Sequence, residues 1–311
     1  MDGLIGLSLL GAYLCTEPAQ PIRRRRTKWV KNWLLRRNLL GCCNSILREL
    51  SIEDHDGYRR MIRMDVATFG ELVALVRPLI QVEDTVMREA IPVEERLAVT
   101  LKVLATVAFA SVSKSALCEI VPQVCDALYL CLKDAYLKTP TKEEDWASVA
   151  EQFCKLWNFP NYIGALDGRH IQIVSPKYGG SYYRNYKGTH SIVLLALVDA
   201  GLNFIYIDVG TNGRTSDGGT WNKSSLKKAI EDGALGIPTS WALPISGVQV
   251  PPVIVADEAF ALKPYLMPPF PRKHLDQRKR VFNYRYRLAV LLKMASEYWR
   301  PGGKYSAPLS G

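Results

Sequence analysis

The sequence has few of the features that mark zinc, disulfide or nucleotide sites. Its seven cysteines are odd in number, lie in the first half of the chain and form no Cys-x-x-Cys pair, which excludes a disulfide scaffold and a zinc finger and favours a reducing compartment. It has only four histidines, and none belongs to a His-Glu-x-x-His motif or pairs with cysteine at zinc spacing. The motifs of P-loop, Rossmann and α/β-hydrolase proteins are absent as well, so those three classes are excluded.

Long apolar runs are also missing. The longest run, residues 97–112, is interrupted by Lys102 and is shorter than the roughly 20 residues that a bilayer-spanning helix needs, so no transmembrane span is predicted. Residues 1–22 contain an apolar stretch that resembles the core of a signal peptide. It is preceded by Asp2 and by no lysine or arginine, which argues against secretion.

Positive charge, by contrast, is abundant and concentrated. The 311 residues carry 40 Lys and Arg against 30 Asp and Glu, a formal net charge of +10, and the 48% of hydrophobic residues suffices for a sizeable core. A dense basic segment near the start is interleaved with tryptophans and includes Arg23, Arg24, Arg25, Arg26 and Lys28. This segment fits contact with a phosphate backbone, a nuclear import signal, or a solvated basic helix, and the sequence leaves all three open.

The hydrophobic pattern changes near Asn158. Before it, apolar residues recur at spacings of three and four, which predicts a small helical bundle in which Pro92 starts one helix and a capping box of Thr141 with Glu144 starts another. After it, β-type runs dominate. We therefore predict an α+β fold with a helical, basic domain over residues 23–157, a β-rich domain over 158–300 and a tail over 301–311.

Within the β-rich domain the apolar runs predict four short strands, at residues 162–166, 170–174, 191–198 and 204–209. A helix over 223–231 and one more buried strand at 253–256 follow. The basic stretch 273–287, which contains Lys279 and Arg280, leads into a final helix.

Three aspartates end hydrophobic or glycine-flanked segments of this domain. Asp167 follows the apolar run that ends at Leu166, Asp217 lies in a Ser-Asp-Gly-Gly sequence, and Asp257 follows residues 253–256. Carboxylates at separate strand or loop ends are the ligands that Mg²⁺ or Mn²⁺ needs, and two such ions can activate water and stabilise the leaving oxygen in phosphodiester cleavage. Ordinary Asp-Gly turns produce the same pattern, so spacing alone leaves both interpretations open.

Four ordered segments resemble motifs of the PIF/Harbinger transposase family: residues 158–170, 186–191, 216–219 and 256–260. The likeness extends from about Trp29 to Arg285. It implies a ribonuclease-H-like catalytic core of the DDE type over residues 158–300, with a mixed sheet, similar to the Harbinger transposase-derived nucleases of vertebrates. It also implies Mg²⁺ or Mn²⁺ as the cofactor.

The resemblance assigns roles to individual acids. The family's first two catalytic acids fall at Asp167 and Asp217, and Asp257 matches the acid of a later strand and is a further metal ligand candidate. The family's third catalytic acid is a glutamate whose position is Met294 here. The nearest acid, Glu297, comes three residues later, which displaces it by about 4–5 Å along a helix. The helix-turn-helix expected near residues 105–116 is also shortened relative to the family.

Two functions follow from these expectations. The first is a metal-dependent nuclease that cuts DNA phosphodiester bonds, with the basic stretches near Arg23 to Arg37 and 273–287 holding the DNA backbone. The second is a non-catalytic DNA- or protein-binding descendant that has lost the third carboxylate; its DNA binding would depend on salt and be indifferent to EDTA. The resemblance further implies a location in the nucleus, with the cytoplasm as a second location, and a Myb/SANT-like partner protein.

Overall fold

The computed structural model describes residues 45–86, 89–106, 112–176, 178–244, 246–271 and 275–289. Several sequence expectations fall outside the described residues: the apolar segment 1–22, Glu297 and the tail 301–311. The first basic segment, with Arg23, Arg24, Arg25, Arg26 and Lys28, also lies outside them. By contact clustering the chain divides into two compact units, Met1–Leu132 and Lys133–Gly311.

The described part of the first unit is built from helices. They are α1 (Ile46–Glu53), α2 (His55–Ile62), α3 (Val66–Ile80), α4 (Val93–Thr106) and most of α5 (Lys114–Tyr136). Asp54 and Asp65 cap α2 and α3 by accepting backbone N–H groups of the first turn, and α4 starts directly after Pro92, as the sequence predicts. Apolar side chains three and four residues apart, such as Phe69, Val73 and Val76, form the core of this unit.

Two sequence expectations concern α5 and the residues before it. The shortened helix-turn-helix falls partly on residues 107–111, which lie outside the described residues. Among the described helices, only the part of α5 at Ser115–Tyr136 has the length and composition of a membrane span, with a mean hydropathy of 1.4. A core helix of a soluble protein passes the same test, and Leu117, Ile120 and Val124 of α5 are buried in the core of the first unit.

The second unit begins before the change of pattern at Asn158. Its helix α6 (Glu143–Trp157) buries Trp146 and Phe153, and the Trp146 indole N–H donates to the Leu235 carbonyl at 2.8 Å. The helix therefore belongs with the residues that follow it, and Asn158, in the left-handed region at φ 55°, marks only the junction between helix and strand. The capping box expected at Thr141 is wrong, since the N-cap is Lys142 and no side chain caps this helix.

A mixed five-stranded sheet lies at the centre of the second unit. Its order is β3 (Phe204–Asn212), β2 (Ser191–Val198), β1 (Tyr162–Gln172), β6 (Val253–Ala256) and β7 (Leu266–Met267). The first three strands are antiparallel to one another, whereas β6 is parallel to β1 and β7 is parallel to β6. The expected α+β class with a mixed sheet is confirmed. A separate pair, β4 (Trp241–Ala242) and β5 (Gln249–Val250), lies outside this sheet.

Two predicted boundaries are wrong. The strands expected at 162–166 and 170–174 are one continuous strand, because β1 keeps its antiparallel pairing with β2 as far as Gln172 opposite Ser191. The helix expected at 223–231 is α8 (Ser225–Glu231), which begins two residues later, and a helix that was not predicted, α7 (Asp217–Lys223), comes before it. Ser224 separates them, since its side chain accepts the Lys227 N–H and so caps α8.

Each face of the sheet has its own core, because successive residues of a strand project to opposite faces. Leu166, Leu197 and Ile254 pack on one face with Trp146 and Trp221. On the other face, Ala165, Val198 and Val255 pack with Phe153 and with Tyr286 of α9 (Gln277–Ala289). The face that α9 covers is called the α9 face below.

Candidate active site

Two of the three predicted acids come from neighbouring parallel strands. Leu166 of β1 lies opposite Ala256 of β6, and this is the last residue pair in the parallel register. Asp167 and Asp257 are the next residues of their chains. Carboxyl ends of parallel strands meet at one edge, so the register brings the backbone at Asp167 and Asp257 to the same edge of the sheet.

Asp167 does not end its strand, contrary to the expectation from the sequence. It lies within β1 opposite Ala196 of β2, and its Oδ1 accepts the Gly168 N–H at 2.9 Å. Only the parallel pairing to β6 stops before it. Because Asp167 lies two residues after Ala165, it projects to the α9 face of the sheet.

Asp217 reaches the same region from another element and from the other face. It is the first residue of α7, whose N-cap is Ser216. Its side chain lies directly against Gly168, so that a Cβ built on Gly168 would meet the Asp217 side chain within 2.7 Å. The absence of a side chain at residue 168 therefore makes room for the Asp217 carboxylate beside β1.

The electrostatics link these groups. Burial raises the pKa of the Asp217 carboxyl above its ordinary value, nearby His170 lowers it, and the charge of Asp257 raises it further. Oδ1 of Asp217 is buried and has no hydrogen-bond partner among the described residues. The side chain is therefore a half-buried oxygen donor within electrostatic range of a second carboxylate and of an imidazole.

His170 is a residue that the sequence analysis did not assign to the site. It lies two residues after Gly168 on β1, hence on the same face as Asp217. Its Nδ1 is 2.9 Å from the Ser191 hydroxyl, which also accepts a hydrogen bond from the Asn185 amide at 3.0 Å. The sequence signal for His170 is its spacing of two residues from Gly168, which places both residues on the same face of a strand.

Tyr286 fixes the end of β6 immediately before Asp257. This side chain of α9 is buried, and its hydroxyl oxygen accepts the Ala256 N–H at 2.8 Å. The carbonyl oxygens of Ala256 and Met267 are the acceptors available to the hydroxyl proton. Burial raises the pKa of the Tyr286 hydroxyl, and the nearby charge of Asp257 contributes in the same direction. A helix that follows the sheet in sequence thus holds the strand that carries Asp257.

The donor set matches a divalent cation in chemistry but is not a preformed metal centre. Asp167, Asp217 and Asp257 offer the oxygen ligands that Mg²⁺ and Mn²⁺ prefer, and the unpartnered Oδ1 of Asp217 suits a cation. Within the described residues, however, no three His, Cys, Asp or Glu side chains are grouped closely enough to hold a metal ion. Glu297, the expected third catalytic acid, lies outside the described residues.

Of the predicted DNA-binding residues, Lys279 and Arg280 are described, both in α9. Lys279 is half-buried, lies 3.6 Å from Asp276 and sits 5.7 Å from the centre of the Phe270 ring. Arg280 is exposed. The side chain with more freedom to meet a phosphate is therefore Arg280.

Comparisons with known proteins indicate the family to which this part of the chain is similar. Residues 166–291 match the model of the DDE superfamily endonuclease family. The chain is 24% identical over 180 residues to a Xenopus laevis protein named "Putative nuclease HARBI1", which covers 57% of this chain and 46% of that protein. The rat protein of the same name is 25% identical over 174 residues, covering 56% and 44%.

A third relative, the Arabidopsis thaliana protein named "Protein ALP1-like", is 27% identical over 173 residues, which cover 53% of this chain and 41% of the relative. The chain thus spans less than half the length of these relatives. No solved structure gives a significant match. The resemblance drawn from the four motifs is confirmed, since residues 166–291 match the DDE superfamily endonuclease family and two of the relatives are named as nucleases.

Proposed function

We propose that this protein is a transposase-derived nuclease that uses Mg²⁺ or Mn²⁺ to cleave DNA phosphodiester bonds, and that its catalytic unit is a ribonuclease-H-like core. The observation that carries the proposal is the register of β1 and β6, in which Leu166 and Ala256, the residues immediately before Asp167 and Asp257, lie opposite each other. The family match over residues 166–291 and the names of the two HARBI1 relatives support the same class of reaction.

The three aspartates are the proposed metal ligands. Asp217 and Asp257 lie within electrostatic range of each other, whereas Asp167 projects to the opposite face of the sheet from Asp217, so an ion held by all three requires a local movement of Asp167 or of α7. Asp167 and Asp257 come from the strand ends and Asp217 from the start of α7, and a divalent ion bound there would supply a Lewis acid and an activated water. Because Asp217 is half-buried beside Gly168, its carboxylate is fixed in direction before any ligand arrives. Holding donors in place in advance is the main contribution that a protein makes to such a site.

The remaining residues position the acids and the DNA. His170 favours the charged form of the Asp217 carboxyl and so lowers its pKa, and Tyr286 holds the end of β6. Arg280, with Lys279 beside it, would contact the phosphate backbone. The first basic segment would add further backbone contacts and nuclear import, and a Myb/SANT-like protein would be the partner. These last assignments rest on the sequence and the family resemblance.

The test is cleavage of supercoiled plasmid and of linear duplex by the 311-residue protein with Mg²⁺ or Mn²⁺. We expect nicking that EDTA abolishes and that is lost in Asp167→Asn and in Asp257→Asn. The matched control is Asp199→Asn, because Asp199 is a turn acid whose carboxylate accepts the N–H groups of Gly201 and Asn203. Folded protein that never nicks DNA with either metal would refute the proposal.

A second candidate is favoured by one feature of the sequence, the methionine at residue 294 where the family has its catalytic glutamate. This second candidate function is that of a non-catalytic DNA- or protein-binding descendant of a transposase. In that case the protein would bind DNA equally well with and without EDTA, would lose affinity with rising salt, and would show no nicking.

A further inference from the structure

The loop that joins β1 to β2 exposes an unusual number of aromatic rings. Residues 178–190, the tyrosine loop, contain four tyrosines. Tyr178 is fully exposed, Tyr186 is 79% exposed and Tyr182 is 57% exposed. Burying such rings stabilises a fold, so three rings left in solvent on one loop indicate a surface that meets a ligand.

The backbone that carries these rings is held firmly. Asn185 is buried, and its side-chain oxygen Oδ1 accepts the backbone N–H groups of Lys187 and Thr189 at 3.0 and 3.1 Å. Its amide donates to the Thr189 hydroxyl at 2.9 Å and to the Ser191 hydroxyl at 3.0 Å. Gly188 completes the turn at φ +80°. The rings therefore project from a preorganised turn, which lowers the entropy lost on binding.

The charged residues of the loop itself are all basic. Residues 178–190 contain no Asp or Glu but contain Arg184 and Lys187. The Lys187 ammonium lies 5.4 Å from the centre of the Tyr186 ring, so a cation and an aromatic face are presented together. An anionic ligand with flat apolar rings, which describes a nucleic acid strand, matches both features.

The loop is also next to the acids. The Tyr186 ring meets the His170 ring edge-on, with centroids 5.6 Å apart, and His170 is the imidazole that lowers the Asp217 pKa. A nucleotide on Tyr186 would therefore lie close to the Asp217 side of the site. Stacking on a tyrosine face requires a base that is not already stacked in a duplex.

We propose that the tyrosine loop binds unpaired nucleotides of DNA beside the cleavage site, with Tyr182 and Tyr186 stacking on bases and Arg184 and Lys187 contacting phosphates. The inference rests on the proposed function in taking DNA as the ligand. It adds that the preferred substrate has unpaired or unstacked bases next to the scissile bond.

The experiment measures binding of the 311-residue protein to three fluorescent DNAs: a single strand, its duplex, and that duplex with an internal run of mismatches. EDTA is present so that no cleavage occurs. We expect tighter binding to the single strand and to the mismatched duplex. Tyr186→Ala and Tyr182→Ala should each weaken binding to these two DNAs by about fivefold or more, and leave binding to the perfect duplex unchanged. A 2-aminopurine base in the unpaired run should lose fluorescence on binding to wild type only.

Three variants make the result specific. Tyr186→Phe keeps the stacking face and should retain wild-type affinity. Tyr136→Ala removes a ring that is 71% exposed elsewhere in the chain and should change nothing. Lys187→Gln should reduce the salt dependence of single-strand binding by about 0.7 in log–log slope, as expected for one lost phosphate contact. Thermal unfolding of each variant checks that the loop change has not unfolded the protein.

The proposal is overturned if Tyr186→Ala binds the unpaired DNAs like wild type, if it weakens all three DNAs equally, or if an RNA strand of the same sequence binds more tightly than the DNA strand. Its failure can be told apart from failure of the nuclease proposal. Tyrosine-dependent binding without any nicking would refute only the nuclease, whereas metal-dependent nicking with unchanged binding in the tyrosine variants would refute only the role of this loop.

Discussion

Replacing Gly168 by alanine would push a methyl group into Asp217. A Cβ on Gly168 would lie 2.5 Å from Cγ and 2.7 Å from Cβ of Asp217, and would also meet Oδ1. Rotation about χ1 moves Cγ and Oδ1 but leaves Cβ where it is, so the contact is relieved only by a backbone shift. Gly168 is paired with Leu195 inside the sheet, and the shift is therefore expected at the start of α7.

The size of the effect follows from that distance. Carbon atoms in contact are normally about 3.5–4.0 Å apart, so a separation of 2.7 Å requires a movement of about 1 Å. Overpacking of this kind costs about 1–3 kcal/mol of unfolding free energy. For a unit of this size each kcal/mol lowers Tm by about 2–4 °C. A 1 Å displacement of a catalytic carboxylate lowers the rate by about 10²-fold.

Thermal unfolding followed by circular dichroism, together with the plasmid assay, tests this reasoning. Gly70→Ala is the matched control, since a Cβ there meets nothing within 4 Å and lies on the exposed side of α3. It should leave Tm unchanged or raise it slightly. Adding Asp217→Ala to Gly168→Ala removes two of the three contacts, so the two changes should be non-additive. A Gly168→Ala protein with wild-type Tm and wild-type nicking would refute the placement of Asp217 beside β1.

Three other predictions concern the surroundings of the acids. Tyr286→Phe should lower the free energy of unfolding by about 1–3 kcal/mol in denaturant titrations, because buried backbone groups lose their partner, whereas Tyr284→Phe, on an exposed ring of the same helix, should have no effect. The pKa of Asp217 is raised in the folded protein, so its ionisation costs stability; Asp217→Asn should raise Tm at pH 7, and the gain should vanish as the pH falls below 3.8, the ordinary value. Arg280→Gln should lower the slope of log affinity against log salt for duplex DNA by about 0.9, and Lys279→Gln by less because Lys279 is already paired with an acid.

The sequence was sufficient where a strand is buried along its whole length. The runs at residues 191–198 and 253–256 are continuous and apolar, and both strands have the predicted bounds. It was insufficient at β1, where Gly168 and Arg169 interrupt the apolar pattern. The strand continues there because its partner β2 supplies hydrogen bonds as far as Gln172, a long-range contact that local pattern does not contain.

For the candidate site, too, the sequence predicts local features but not long-range contacts. That Asp167 and Asp257 end apolar runs can be read from the sequence, but their proximity depends on the parallel register of two strands that are 90 residues apart in the chain. The contact of Asp217 with Gly168 depends on how α7 packs against the sheet. Likewise, nothing local indicates that Tyr286 reaches the end of β6, because its hydroxyl bonds residues 19 and 30 positions away.

The most direct test of the central proposal, that Asp167, Asp217 and Asp257 together bind one divalent ion, is calorimetric titration of Mn²⁺ into the 311-residue protein and its variants. Wild type and the turn-acid control Asp199→Asn should bind Mn²⁺ with the same affinity, and Asp167→Asn and Asp257→Asn should each abolish or strongly weaken that binding. Wild-type protein that is folded but binds no Mn²⁺, or an Asp257→Asn protein that binds it unchanged, would contradict the account.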